Sequence, residues 1–291
     1  MLQTDNQKTN VPADYSDWLV VSDIDGTLNN KFRKLPRNNY NAILDFTQRG
    51  GHFTLASGRA VSSLERNYRR VTPNCPAVVL NGAGIYDYDR KKMLWRSTIG
   101  AQGRRFVRDV YEQYSGPFHR LDIGIFFDDH VYIVRSGLLS LGQMFFDKTS
   151  HEVTTLDQVP EEGWMKVIFW SNPVTISAFK KHLQKTGSHG MTFMSSSPWS
   201  LEMLQEGTNK GAAVLKLGEM LGVPREHIGA IGDYYNDEEM LKKVAIPACA
   251  GQAPKDLKAI CKYVACHCNY GCVADFLGYI RHLADGEKKR G

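Results

Sequence analysis

No stretch of this sequence approaches the roughly 18 consecutive apolar residues that a membrane-spanning helix needs, which argues against a helical membrane protein. The opening residues, MLQTDNQKTNVPADYSD, are polar and lack the apolar segment of a secretory signal, so the expectation is a cytoplasmic protein with no membrane partner. Internal repeats and low-complexity segments are absent too. EGTNKGA resembles part of a phosphate loop but lacks the glycine spacing of a Walker motif. An EF-hand starting at Asp23 would need glycine where Leu28 stands and glutamate where Lys34 stands.

Cysteine is sparse: the six residues fall at 75, 249, 261, 266, 268 and 272. The last four lie in CKYVACHCNYGC, which lacks the two separated CxxC pairs of a zinc ribbon, so they read as reduced thiols packed in the last part of the core. The net charge of +5 is spread over mixed acidic and basic residues. It reads as a solvated surface and predicts no nucleic-acid partner. The tail GEKKRG reads as disordered.

What is present is ordinary globular composition: 291 residues, 42% hydrophobic and 23% charged, enough for one large core or two modest ones. DWLVVSD, HFTLASG and HIGAIGD are short apolar runs that end in small or acidic residues and precede plausible helices, as buried parallel strands do. AVVLNGAG supplies a further strand. In LPRNNYNAILDFTQRGG, Pro36 suits a helix start and Gly50-Gly51 its end. Between about residues 86 and 198 the texture changes. LDIGIFFDDHVYIVRS alternates on both sides of a turn at Asp128-Asp129, MKVIFWS and MTFMSSS read as strands, and AQGRRFVRDVYEQY and TISAFKKHLQKTG read as helices. Phe126, Trp170 and Trp199 read as the core of this module. The expectation is an α/β, Rossmann-like parallel-sheet core, 1–85 and 199–291, with an α+β domain, 86–198, inserted into it.

In open α/β sheets the active crevice lies beyond the carboxyl ends of the strands. The suspicious polar residues all belong there: Asp23 and Asp25 after the first strand, Ser57, Gly58 and Arg59 after the second, Asn81 after the third, and GDYYND, residues 232 to 237, after the fourth. Alone, a DxD pair is often a turn, SGR says almost nothing, and Lys210 could be an ordinary helix-start lysine. Together they would gather carboxylates that repel one another unless a cation holds them, and oxygen ligands with few histidines select a hard ion such as Mg2+.

DIDGT, SGR, the lysine of TNKG and GDYYND, in this order, resemble the four motifs of the haloacid dehalogenase-like phosphohydrolases. The large insertion after LNGAG, with AGQAP and NYGCVADFL, is similar to the Cof-type and sucrose-phosphatase-like members. That resemblance implies a Mg2+-dependent phosphatase acting on a small phosphorylated metabolite, with the insertion as a cap that excludes water. It implies Asp23 as nucleophile, forming an aspartyl-phosphate, and Asp25 as general acid and then base. The implied metal set is Asp23, Asp25 through its backbone carbonyl, Asp233 and Asp237. Ser57 and Lys210 would support the phosphate, with Thr27, Gly58, Arg59, Asn81 and Asn236 as phosphate or substrate contacts. Gln252 stands where the family usually has asparagine, and no role is assigned to it. A phosphosugar mutase shares this nucleophile and acid arrangement. A phospho-acceptor module without turnover is the alternative in another class, although retention of Asp25 and a second domain favour hydrolysis.

Overall fold

The computed structural model, which describes residues 14–116 and 119–288, places the first apolar run at the centre of a parallel sheet. In chain order the first body contains β1 (Leu19–Ser22), α1 (Arg37–Gln48), β2 (His52–Leu55), α2 (Val61–Val71), β3 (Ala77–Val79), β4 (Gly84–Asp87) and β5 (Lys92–Arg96). The second body contains α3 (Ala101–Gln113), β6 (Asp122–Phe126), β7 (Val131–Arg135), α4 (Leu138–Asp147), β8 (His151–Val153), β9 (Lys166–Trp170), α5 (Pro173–Thr186), β10 (Met191–Ser197) and β11 (Ser200–Gln205). The chain then returns to the first body with α6 (Lys210–Leu221), β12 (Ile228–Gly232), α7 (Glu238–Lys243), β13 (Ile246–Cys249), α8 (Lys255–Ala259), β14 (Tyr263–Val264) and α9 (Cys272–Lys288).

The first sheet runs β14-β13-β12-β1-β2, all parallel. A parallel bridge between Ala56 and Val78 carries it on to β3, which starts the antiparallel strip β3-β4-β5. β1 is apolar without alternation because both of its faces are covered. Leu19 and Val21 join the cluster of Val214, Leu217 and Met240 beneath α6 and α7, while Val20 joins that of Ile43, Phe46, Phe276 and Ile280 beneath α1 and α9. Burying each such aliphatic side chain contributes about 1.5–3 kcal/mol. The strand that delivers Asp23 is therefore anchored far more firmly by packing than any exposed ion pair could anchor it, at about 0–1 kcal/mol.

The second sheet has the order β10-β11-β9-β6-β7-β8, antiparallel apart from the parallel pair β7–β8. α3 and α5 cover one face through Phe106, Val107, Ile176 and Phe179. The opposite face, with Phe126, Ile133, Ile168 and Trp170, merges with the apolar cluster of the first body. At the seam Met165 packs on Gly84, where a Cβ would lie 2.8 Å from Met165 Cε.

Sheet membership moves the expected division of the chain. β4 and β5, placed largely in the insertion by the change of texture at 86, pair with β3 and so extend the first body to Arg96. β11, expected to resume the core at 199, pairs with β9 and β10 in the second sheet, which therefore runs to Gln205. The two crossings between the bodies, residues 97–100 and 206–209, lie side by side, with Ser97 Oγ 2.5 Å from Thr208 Oγ1.

Trp199, expected in the core of the module, is 49% exposed, whereas Phe126 and Trp170 are buried. Of the tail read as disordered, residues 286–288 continue α9 and the rest lies outside the described residues. All six cysteines are free thiols, and Cys75, Cys249, Cys268 and Cys272 are buried. No helix among the described residues is long and apolar enough to cross a membrane.

Candidate active site

β1 and β12 are neighbours in register, so the chain leaves them side by side at Asp23 and Asp233. The Asp23 N–H still donates to Ile231 O at 2.9 Å, which fixes the direction in which its side chain emerges. Gly26 follows with φ +85°, and a Cβ there would lie 2.2 Å from Asp233 Oδ2. Glycine satisfies both demands at once, the left-handed backbone and the close approach of a carboxylate. Thr27 Oγ1, expected at the phosphate, donates to Asp233 Oδ1 at 3.3 Å.

Lys210 is the first residue of α6, and Asn209 caps that helix by accepting the Ala212 N–H at 2.9 Å. The cap sets the start of the helix and turns Lys210 inward. Its side chain is 1% exposed, with Nζ 2.6 Å from Asp23 Oδ1 and 2.6 Å from Asp237 Oδ1. Burial opposes the lysine charge, but Asp23 and Asp237 outweigh it and hold Lys210 above the ordinary lysine range. Asp237 is fully buried, and its other oxygen accepts the Asp233 N–H at 3.1 Å.

Asp23, Asp233 and Asp237 each offer an oxygen within 4.8 Å of the others. Burial, joined by repulsion from Asp237, pushes the Asp23 carboxyl up to about 8 against the pull of Lys210. The same two causes push Asp233 up to about 6. A crowded set of carboxyl oxygens that resists ionising together is a fit for a hard divalent cation. Asp233 and Asp23 are the better ligands, since Asp237 already uses one oxygen on Lys210 and the other on the Asp233 backbone.

The Asp25 carboxylate stands outside this group. Its Oδ2 is 2.6 Å from Arg59 Nη2, and Arg59 Nη1 lies 3.8 Å from Asp147 at the end of α4. Ser57 is buried at the end of β2, its N–H donating to Val78 O at 3.0 Å and its Oγ accepting the Arg59 N–H at 3.3 Å. Asn81 lies in a left-handed turn, Leu80 φ 51° and Asn81 φ 55°, followed by Gly82 at φ 96°. Such a backbone costs of order 1–3 kcal/mol at each non-glycine residue and persists only where its surroundings fix it. Here Leu80 N–H donates to Arg59 O and Asn81 N–H to Ser57 O, both at 3.0 Å. A Cβ on Gly82 would lie 2.2 Å from Asn209 O, so the turn abuts the start of α6. The expected substrate amide, Asn81 Nδ2, donates to Glu202 of the inserted sheet at 2.8 Å. Asn236 is exposed on the rim, in the short turn Tyr235–Asp237.

Four residues at this centre went unassigned in the sequence. Gln252 donates to Gly26 O at 2.5 Å and accepts the Cys268 N–H at 3.1 Å, bracing the glycine loop. Its position after a strand, in AGQA, was the available signal. Asp147, Lys166 and Glu202 reach the centre from the insert. For the last two the signal was a charge inside otherwise apolar strands, MKVIFW and SLEML.

A parallel sheet with a carboxylate–lysine centre at its strand ends and an inserted second sheet above is the architecture of an α/β enzyme. Residues 20–277 match the family model of the haloacid dehalogenase-like hydrolases, and the chain belongs to that family. It is similar to the HMP-PP phosphatase of Yersinia enterocolitica, 27% identical over 240 residues that cover 82% of this chain and 86% of the relative. It is also similar to the 5-amino-6-(5-phospho-D-ribitylamino)uracil phosphatase of Bacillus subtilis, 23% identical over 246 residues, 84% of this chain and 90% of the relative. Among solved structures, a haloacid dehalogenase-like hydrolase from Bacteroides thetaiotaomicron superposes with a TM-score of 0.79 at 21% identity, covering 92% of this chain and all of the other. The chain is thus an enzyme of this hydrolase family, and the two relatives, matched over most of their length, are phosphatases.

Proposed function

We propose that this chain is a Mg2+-dependent phosphomonoesterase acting on small organic phosphates, sugar phosphates foremost, through an aspartyl-phosphate on Asp23. The observation that carries the reading is the buried Lys210 ammonium, 2.6 Å from both Asp23 and Asp237, beside a third carboxylate, Asp233. A nucleophilic carboxylate needs a cationic surround if it is to meet a phosphate dianion, and this centre has a lysine and a set of cation ligands. The relative named for a phosphoribityl compound supports a polyol or sugar phosphate as substrate.

Asp23, Asp233 and the Asp25 backbone carbonyl, with Asp237 behind them, would hold a Mg2+ ion, which would supply neutralisation of the phosphate charge. The protein's own groups do the rest. Asp23 attacks phosphorus as a carboxylate, and Lys210 and the Ser57 hydroxyl hold the equatorial oxygens. Asp25 gives its proton to the departing alcohol and then takes one from the water that cleaves the acyl phosphate. Arg59 fixes the Asp25 carboxylate at the mouth.

The test is release of inorganic phosphate from a panel of sugar, nucleotide and cofactor phosphates, with Mg2+ or with EDTA, and with Asp23→Asn alongside. Metal-dependent release that vanishes in the variant is expected. Isomerised phosphosugar without free phosphate would instead make the protein a mutase, and stable labelling by acetyl phosphate without turnover a phospho-acceptor.

A further inference from the structure

Lys166 opens β9 and Glu202 sits in the middle of β11, two adjacent strands of the insert. Their side chains are 2% and 6% exposed, and Lys166 Nζ lies 3.0 Å from Glu202 Oε2. Their strand neighbours Val167, Ile168, Leu201 and Met203 are buried and apolar. Both charges reach across the seam. Lys166 Nζ donates to Gly58 O at 2.8 Å, and Glu202 Oε2 accepts from Asn81 Nδ2 at 2.8 Å. The Phe126 ring, 4.7 Å from Lys166 Nζ, closes the remaining side of the ammonium.

The two contacted residues flank Ser57 in space. Gly58 follows it in the chain, and Asn81 binds it through the backbone, N–H to Ser57 O at 3.0 Å. Gly58 and Asn81 also touch each other so closely that a Cβ on Gly58 would lie 2.8 Å from the Asn81 amide. The insert therefore grips, with one buried cation and one buried anion, the two loops that set the Ser57 hydroxyl, and it grips the loop whose left-handed backbone needs outside support.

We propose that Lys166 and Glu202 are positioning residues for phosphoryl transfer. Seated, the insert locks the Ser57–Arg59 and Leu80–Gly82 loops into the geometry that receives the phosphate. Unseated, it withdraws both charges together and leaves the phosphate pocket loose, so that competence depends on closure. This inference rests on the phosphatase reading, and it adds that the insert organises the core's own phosphate site as well as covering it.

The experiment uses the full chain with Lys166→Met, Glu202→Gln, the conservative Lys166→Arg, and the double variant Lys166→Met/Glu202→Met. Removing one partner leaves a buried charge and endangers folding, whereas an apolar pair of similar volume is often neutral or stabilising. The double variant is thus expected to melt near the wild-type temperature. Its kcat is expected to fall by about 100-fold, the order of loss that follows a misplacement of about 1 Å. The fall should exceed any rise in KM, and Lys166→Arg should recover part of the rate.

Amide hydrogen exchange at residues 57–59 and 80–82 is measured on the same samples without substrate and is expected to quicken in the double variant. A folded double variant with wild-type kcat and wild-type exchange would overturn the proposal, leaving the pair a structural ion pair. Absence of phosphate release from the wild type would overturn the phosphatase reading instead, and the exchange result would still decide whether the grip exists.

Discussion

Asp25 and Arg59 form a 2.6 Å ion pair at the mouth of the sheet, and the same guanidinium reaches Asp147 of α4 at 3.8 Å. The arginine of SGR, expected at the phosphate, thus pairs with the carboxylate proposed as proton donor and does so beneath the inserted domain.

Replacing that arginine should separate catalysis from stability. The Arg59 and Asp25 side chains are partly exposed, and such pairs contribute about 1 kcal/mol or less to folding. Arg59→Met should melt within a few degrees of wild type while kcat/KM drops at least about tenfold, the usual share of a positioned acid–base group being larger still. Steady-state kinetics beside a thermal melt would decide, and a lowered melting temperature with intact kcat would count against the orienting role.

The carboxyl crowding predicts a link between protons and metal. Asp23 and Asp233 sit at about 8 and about 6 in the folded protein, each raised from 3.8. Between about pH 4 and about pH 8 the folded state thus holds more protons than the unfolded one, and metal-free stability falls as pH rises through that window. Mg2+ binding must displace those protons. Its stabilising effect should therefore be larger at about pH 8 than at about pH 5. Thermal melts with Mg2+ and with EDTA across this range would show it, and an equal metal shift at both ends would contradict the linkage.

Gly26→Ala places a methyl group 2.2 Å from Asp233 Oδ2 on a backbone at φ +85°. The strain should cost about 1 kcal/mol or more, by the general penalty for a side chain in that region. Displacement of Asp233 should also raise the Mg2+ concentration needed for half-maximal activity. Denaturant unfolding and a metal titration are the two measurements, and unchanged values in both would show that the loop yields freely.

Gln252 is exposed, and its two hydrogen bonds, to Gly26 O and from Cys268 N, brace the same loop from outside. Gln252→Ala should lose only about 0.5–1.5 kcal/mol of stability, as for typical hydrogen bonds. Its effect should fall on the metal titration more than on the melt. A variant whose metal requirement matches wild type would remove Gln252 from the site.

The parallel strands were readable because β1, β2 and β12 are short apolar runs ending in small or acidic residues, the pattern of strands covered on both faces. Lys210 was readable through its place before a helix stripe, and GDYYND through its place after a strand. The sheet to which SLEML belongs was not readable. Its periodicity marks a strand, but its place in the insert's sheet is decided by pairing with β9, some 30 positions away. The short β4–β5 hairpin falls at the change of texture, and only its pairing with β3 a few residues upstream assigns it to the first body. Helix α4 escaped because Leu138, Phe145 and Phe146 are exposed, so its apolar residues mark no buried stripe. Asn81 was found by position, but its partner Glu202 lies 121 residues along the chain, and only the folded arrangement shows where that amide points.

The paired crossings at residues 97–100 and 206–209, pinned to each other at Ser97 and Thr208, carry a mechanical consequence. A plate fastened to a frame by two neighbouring pins keeps one easy rotation, about the line through the pins, and loses free twisting and sliding. The insert is hung in that way over the strand ends. A swing about that line would return Lys166, Glu202 and Asp147 to the same landing points, so a docking surface carrying few charges would be reset without a search.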